Sequence, residues 1–253
     1  VLILSGLDPS GGAGIQADIQ AVTALGGHPL PIVTCLTVQD TRNVYGAEAV
    51  DADLIRRQLE CVAADVPIHA VKTGALGNAA VVEVLAAFLE QHPDLPVITD
   101  PVIKAAGGGD LADDALIDAM KNRLFPLTEM ITPNGIELAM LSGADDPAEA
   151  AARLISAGCR SVLATGGHGE GPQIVNTLFG PGEPIQWHLD RIGGEYHGTG
   201  CTLAAAIAAG RAAQLSPRAA ISQAQNFVNR AILHALEVGR GQTVPDRGIP
   251  WER

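Results

Sequence analysis

Val1-Leu2-Ile3-Leu4 runs through Ser5-Gly6 into Asp8-Pro9-Ser10-Gly11-Gly12-Ala13-Gly14, and a helical pattern then continues from Ile15 to about Leu25. A short apolar run closed by small residues is the pattern of a buried strand. The glycines permit a tight turn before the helix. Strand, glycine loop and helix in that order form the unit from which parallel α/β sheets are built, and the loop between them is where such proteins place ligands. Gly12-Ala13-Gly14-Ile15-Gln16-Ala17 also satisfies the dinucleotide fingerprint G-x-G-x-x-A, a short motif in the right setting. The sequence holds no G-x-x-x-x-G-K-[ST], so a P-loop is excluded.

The same alternation repeats outward from this unit. Strands are predicted over Pro31–Val38, Ala70–Thr73, Pro96–Thr99, Glu129–Thr132 and Ser161–Thr165. Helices are predicted over Asp51–Ala64, Ala79–Glu90, Asp113–Leu124, Pro133–Leu141, Pro147–Ala157, Leu203–Ala213 and Pro217 to about Val238. Ile174–Phe179 and Ile185–Leu189 flank Gly180-Pro181-Gly182 and read as a hairpin. The expected fold is α/β in three layers, a mostly parallel central sheet with helices on both faces and a small antiparallel part. No repeat or linker divides the chain, so residues 1–253 read as a single domain.

Composition narrows the function. The net charge of −12 argues against general affinity for nucleic acid or anionic membranes. Aromatic residues make up 3%, so Ala, Val, Leu and Ile must fill the core and closely packed helices follow. Cys35, Cys61, Cys159 and Cys201 are scattered without zinc spacing, which suits buried free thiols in a reducing, cytoplasmic compartment. No apolar run approaches the ~20 residues needed to span a bilayer. The absence of Met at position 1 implies a natural start further upstream.

His197-Gly198-Thr199-Gly200-Cys201-Thr202 precedes the small-residue helix. Glycines on both sides of Thr199 let successive N–H groups face one concavity, and the helix start adds unpaired donors and a positive dipole end. The stretch suits an anion or charge developing in a reaction, and equally a plain tight turn into a buried helix. At that helix end the Cys201 thiol is expected to have a lowered pKa. Asp8, Gln39, Asp100, Thr132–Asn134 and Gly166–His168 each follow an apolar strand, which places them on one carboxyl edge with this loop.

Taken together, the blocks Gly6–Asp18, Val38–Thr41, Lys72-Thr73-Gly74, Asp100-Pro101-Val102, Thr132–Glu137, Gly166-Gly167-His168 and His197–Thr202 resemble the hydroxymethylpyrimidine and phosphomethylpyrimidine kinases of the ribokinase-like superfamily. They occur in family order over nearly the whole chain. Most sugar kinases of that superfamily carry Asp where this chain has Cys201, so the cysteine points to the pyrimidine and vitamin B6 branch. The resemblance implies ATP-dependent phosphorylation of a pyrimidine hydroxymethyl group and then of its monophosphate, in thiamine biosynthesis, by a homodimer. It implies Gly198, Thr199 and Gly200 holding the transferring group, and Cys201 beside the attacking hydroxyl as base or positioner. Asp100 and Glu137 would organise Mg²⁺, with Asn134 assisting, and Thr165, Gly167 and Asn134 would meet the nucleotide. Gln39 would pair with the aminopyrimidine edge, with Asp8, Asp18, Ala13 and Val102 contacting or shaping its pocket. His197 and His168 fit structural donors as well as catalytic groups.

The chain departs from the family pattern in places. Thr165 stands where a lysine precedes Gly-Gly-His, Ile103 replaces Met, Gly107-Gly108 replaces Ser-Gly, and Ala75 replaces a bulkier residue. Weaker phosphate binding, or partial substitution by Lys104, is expected from the first. Ala75 widens the pocket and keeps a pyridoxal or pyridoxamine kinase in view. The lost lysine alone favours a non-catalytic pyrimidine-binding protein, against intact Asp100, Glu137 and Cys201. A Rossmann oxidoreductase does not account for the second glycine loop.

Overall fold

The computed structural model describes residues 1–103, 111–167 and 171–249. Lys104, Gly107, Gly108 and His168 lie outside the described residues. One nine-stranded sheet carries the fold, in the order β3-β2-β1-β4-β5-β6-β7-β8-β9. The strands are β1 Leu2–Leu7, β2 Leu30–Gln39, β3 Val44–Ala49, β4 Val71–Thr73, β5 Val97–Thr99, β6 Met130–Ile131, β7 Val162–Ala164, β8 Gln173–Phe179 and β9 Ile185–Asp190. The pairs from β2 through β7 are all parallel, while β3, β8 and β9 pair antiparallel at the two ends. The three-layer expectation therefore holds.

Helices α1 Gly14–Ala24, α7 Thr199–Ala212 and α8 Pro217–Leu233 cover one face. On the other lie α2 Ala52–Asp65, α3 Ala79–Glu90, α4 Asp114–Ala119, α5 Gly135–Ser142 and α6 Pro147–Ser156. The division follows the strand period of two. Leu2 and Leu4 pack with α2 to α6, whereas Val1 and Ile3 pack with α1, α7 and α8. In α7 every residue from Thr202 to Gly210 is buried, and a Cβ at Gly210 would lie 2.9 Å from Ala220 Cβ. Small residues thus let α7 and α8 approach closely, as the aromatic-poor composition requires.

Several boundaries differ from the sequence expectation. Helix α7 begins at Thr199 rather than Leu203, so residues 199 to 202 form its first turn instead of a loop before it. The strand β3 was not predicted, because Val44-Tyr45-Gly46-Ala47-Glu48-Ala49 is an exposed edge with little apolar alternation. The predicted helix Asp113–Leu124 is α-helical only to Ala119, with a π-helical turn over Met120–Leu124 and a 3-10 turn containing Pro126 after it. The last helix stops at Leu233, not Val238. Leu236 leaves the helical path and exchanges backbone hydrogen bonds of 2.8 and 3.0 Å with Val244. That bridge folds the tail back toward the carboxyl edge of the sheet.

Candidate active site

Parallel pairing brings the carboxyl ends of β2, β1, β4, β5, β6 and β7 to one edge of the sheet. Gln39, Asp8, Thr73, Asp100, Thr132 and Thr165 follow or end those strands in turn. The antiparallel strands add the end of β9, and with it Arg191, to the same edge. The N-terminus of α7 completes the group.

The glycine loop is held by Asp8. One carboxylate oxygen accepts from Ser10 N at 2.8 Å and Ser10 Oγ at 2.7 Å; the other accepts from Ala13 N at 2.8 Å and meets His197 Nε2 at 2.8 Å. Burial pushes the Asp8 carboxyl up, but the hydrogen bonds from His197, Ser10 and Ala13 outweigh it and hold the group at about 2. An ionised carboxylate only accepts, so Nε2 of His197 carries the proton on that bond. His197 is a structural donor that joins the two glycine loops. Asp8 and the Ala13 N–H are likewise engaged in holding the loop.

The loops also touch through their backbones. Gly198 has φ of 87°, and a Cβ there would run into Gly12 O. A Cβ on Gly12 would run into the His197 ring. Both glycines are therefore required by close approach, with Gly198 needing the left-handed region as well.

Cys201 sits where these loops meet the strand ends. The Gly14 N–H and the Asp100 carboxylate both lie close enough to act on its thiol. A Cβ on Gly200 would lie 4.0 Å from Asp100 Oδ1, so the first turn of α7 adjoins this carboxylate. Burial first, and then the neighbouring Asp100 and Asp18, push the Cys201 thiol well up despite the helix end. The expectation of a lowered thiol pKa is corrected: desolvation outweighs the dipole, and the group is a thiol at neutral pH.

Asp18 is fully buried, and Lys72 Nζ donates to its Oδ2 at 2.8 Å. From there it can shape the site from beneath, one of the two roles the resemblance implies for it. Burial works against the Lys72 charge, but Asp18 and Asp100 prevail and raise its pKa, so the ammonium is fixed beneath the site. Sequence reading quoted Lys72 only inside a motif. The available signal was a lysine flanked by apolar residues in a buried strand, which demands an acidic partner.

Asp100 is 5% exposed, and its Oδ2 is buried without a partner among the described residues. Burial and then the Asp100 charge push Glu137 up to about 8. Two carboxylates that repel in this way, one with an orphaned oxygen, fit a divalent cation. No group of three or more His, Cys, Asp or Glu side chains that could hold a metal occurs among the described residues, so an all-protein cage is absent there. Asn134 caps α5: its Oδ1 accepts from Ile136 N and Glu137 N at 3.0 Å, while Glu137 Oε2 accepts from Asn134 N at 3.0 Å. Only its amide nitrogen is left for a ligand.

At the far end, Thr165 donates through its backbone at 3.0 Å and its hydroxyl at 3.3 Å to Pro133 O. Gly166 N donates to Asn176 Oδ1 at 3.0 Å, and Arg191 donates to Gly167 O and Gly171 O, both at 2.8 Å. Gln39 stands at the other end of the edge, half-buried beside a register shift between β2 and β3. Val102 follows Asp100 in a tight turn, its N–H donating to Asp100 O at 2.9 Å. Sequence reading missed Arg247, which joins the glycine loops from a tail with no local motif.

The phosphomethylpyrimidine kinase family matches residues 8–246 of the chain. The chain is 36% identical over 255 residues to the hydroxymethylpyrimidine/phosphomethylpyrimidine kinase of Streptomyces coelicolor, covering 98% of this chain and 94% of that protein. It is 40% identical over 247 residues to the thiamine biosynthesis bifunctional protein ThiED of Geobacter sulfurreducens, covering 95% of this chain but only half (50%) of that longer protein. Among solved structures, the ADP complex of Bacillus subtilis pyridoxal kinase superposes with a TM-score of 0.89 at 28% identity, covering 98% and 96% of the two chains. With its glycine loops, Cys201 and strand-end carboxylates on one sheet edge, the chain belongs to the phosphomethylpyrimidine kinase family.

Proposed function

We propose that this chain phosphorylates the hydroxymethyl group of hydroxymethylpyrimidine with ATP, and then phosphorylates the monophosphate to the pyrophosphate, in thiamine biosynthesis. The observation that carries the reading is the junction of the two glycine loops on the sheet edge, where His197 Nε2 meets Asp8 Oδ2 at 2.8 Å and Gly200 stands beside the Asp100 carboxylate. On this reading an acceptor loop, a phosphoryl cradle and a cation-fitting carboxylate share one point.

Phosphoryl transfer needs positioning and charge neutralisation more than covalent participation. The N–H groups of Gly198, Thr199, Gly200 and Cys201 stabilise the charge on the transferring group, helped by the α7 dipole. A half-buried thiol that holds its proton is a positioner rather than a resting base. Cys201 orients the acceptor hydroxyl, whose proton leaves late because bonding to the nucleophile is little advanced in the transition state. Gln39, with an amide donor and acceptor, reads the edge of the aminopyrimidine. Asp100 and Glu137 would hold Mg²⁺ largely through water and phosphate oxygens, and the ion would neutralise phosphate charge. Gly167 and the Asn134 amide nitrogen bound the nucleotide side, with Thr165 supporting them from the backbone.

A homodimer paired at the β3 edge would cover Tyr45 and Val38, which are 64% and 65% exposed. The free cysteines suit a cytoplasmic setting. Among the described residues, no helix is long and apolar enough to cross a membrane.

Pyridoxal kinase is the second reading, favoured by the small Ala75 and by the superposition on the Bacillus subtilis enzyme. Steady-state assays with hydroxymethylpyrimidine, its monophosphate and pyridoxal, each with ATP and Mg²⁺, decide between them. The pyrimidines are expected to give the higher kcat/KM. A preference for pyridoxal would overturn the first reading, and absence of ADP formation with every acceptor would overturn both.

A further inference from the structure

Arg247 lies one residue beyond the stretch matched by the family, in the tail returned to the sheet edge by the Leu236–Val244 bridge. It is 2% exposed. Its Nε donates to Thr202 Oγ1 at 2.7 Å and its Nη1 to Gln20 Oε1 at 3.3 Å. Its Nη2 donates to Gly12 O at 2.6 Å and reaches Gly198 O at 3.4 Å. One planar group therefore spans α1, the glycine loop, the N-cap of α7 and the first turn of that helix.

We propose that Arg247 is a positioning residue that locks the acceptor loop and the phosphoryl cradle into one rigid unit. The inference rests on the kinase reading, because only transfer between the two loops gives their separation a consequence. In a trans peptide the carbonyl and the following N–H point in opposite directions. Holding Gly198 O toward the guanidinium therefore turns the Thr199 N–H away from it, toward the cradle side. Holding Gly12 O does the same for Ala13 N–H, whose partner is Asp8 Oδ2 at 2.8 Å. The fork geometry matters as much as the charge, since a single ammonium cannot replace a planar group that serves separate acceptors on different elements. The cation also stands behind the α7 N-terminus and adds to the positive field there. His197–Asp8 ties the same loops at another point, so Arg247 sets their relative angle while that pair sets their contact.

The test uses the full chain with Arg247→Lys, Arg247→Met, Arg247→Ala and Gln20→Leu. For each, kcat and KM, ADP affinity by calorimetry, and thermal stability are measured. Displacement of reacting groups by about an ångström costs about 100-fold in rate, so kcat of Arg247→Met is expected to fall by about that factor. ADP affinity, which does not depend on the acceptor loop, is expected to stay within about threefold. Arg247→Lys is expected to restore only part of kcat, and methylguanidinium to raise turnover of Arg247→Ala. Gln20→Leu removes one partner and keeps the others, so the test survives if the alanine variant does not fold; its kcat is expected to fall by about threefold with ADP affinity kept. Unchanged kcat in Arg247→Met and Gln20→Leu would overturn the proposal. So would parallel losses of kcat and ADP affinity that methylguanidinium does not reverse. A parent protein that binds ADP but transfers to no acceptor overturns the kinase reading instead.

Discussion

Lys72 Nζ and Asp18 Oδ2 lie 2.8 Å apart with both side chains wholly buried, joining β4 to α1 beneath Cys201 and Asp100. Removing one partner of such a pair strands a charge in a low-dielectric interior. Lys72→Met is therefore expected to destabilise the protein by about 3–5 kcal/mol, with part of the loss recovered when Asp18→Asn is added. Denaturant unfolding of the two single variants and the double variant gives both numbers. A Lys72→Met protein as stable as the parent would show that the pair contributes nothing.

The Asp8 network predicts an acid-sensitive loop. The native carboxyl sits at about 2 against an ordinary 3.8, a depression worth about 2 kcal/mol. Because the native value is the lower one, this stability is complete above the unfolded value. It is lost as pH falls from about 4 toward 2. Asp8→Asn is expected to be less stable than the parent at pH 6, with the gap narrowing by pH 2. Urea melts at several pH values check the slope, and a gap that widens on acidification would refute the assignment.

Cys201 predicts a thiol that is hard to alkylate. At pH 8 iodoacetamide is expected to label the exposed Cys61 first and Cys201 about 100-fold more slowly or worse, because the thiolate is the reactive form. Peptide mass spectrometry over time resolves the two sites. Cys201→Ala is expected to fold normally and to lower kcat by about 100-fold, the scale of lost positioning. Rapid labelling of Cys201 would restore the case for a thiolate, and unchanged turnover in the alanine variant would leave the residue to packing.

Periodicity and glycine loops made the parallel sheet legible, because buried strands such as Val97–Thr99 and helices such as Ala79–Glu90 carry their burial in local pattern. They did not reveal β3, whose residues pair with β2 while facing solvent. The placement of the strand-end residues on one edge was equally readable, since it follows from parallel order alone. Their states were not. Whether Cys201 is a thiol depends on Asp100 and Asp18, both remote in sequence, and on burial that appears only after folding. Asn134 illustrates a different limit. Its neighbourhood with Glu137 reads as a capping box in sequence, yet the same residues are candidates for ligand contact, and geometry alone shows that the side-chain oxygen is already spent.

Thr165 carries the remaining prediction. Its hydroxyl donates to Pro133 O, and the residue brings no charge to the position where the resemblance implies a lysine. Arg191 brings a cation to the adjoining loop, bound to Gly167 O and Gly171 O, while its Nη2 is buried with no partner among the described residues. Arg191→Ala frees both carbonyls and removes that charge, and is expected to raise KM for ATP by about tenfold with a smaller change in kcat. Thr165→Lys is expected to lower KM for ATP by severalfold, since a cation near the polyphosphate strengthens ground-state binding. ATP titrations at fixed acceptor and at two ionic strengths measure both, and added salt should erode the gain from the lysine. If Thr165→Lys leaves KM unchanged while Arg191→Ala raises it, the loop already has its cation. If neither variant moves KM, the polyphosphate does not lie against this loop.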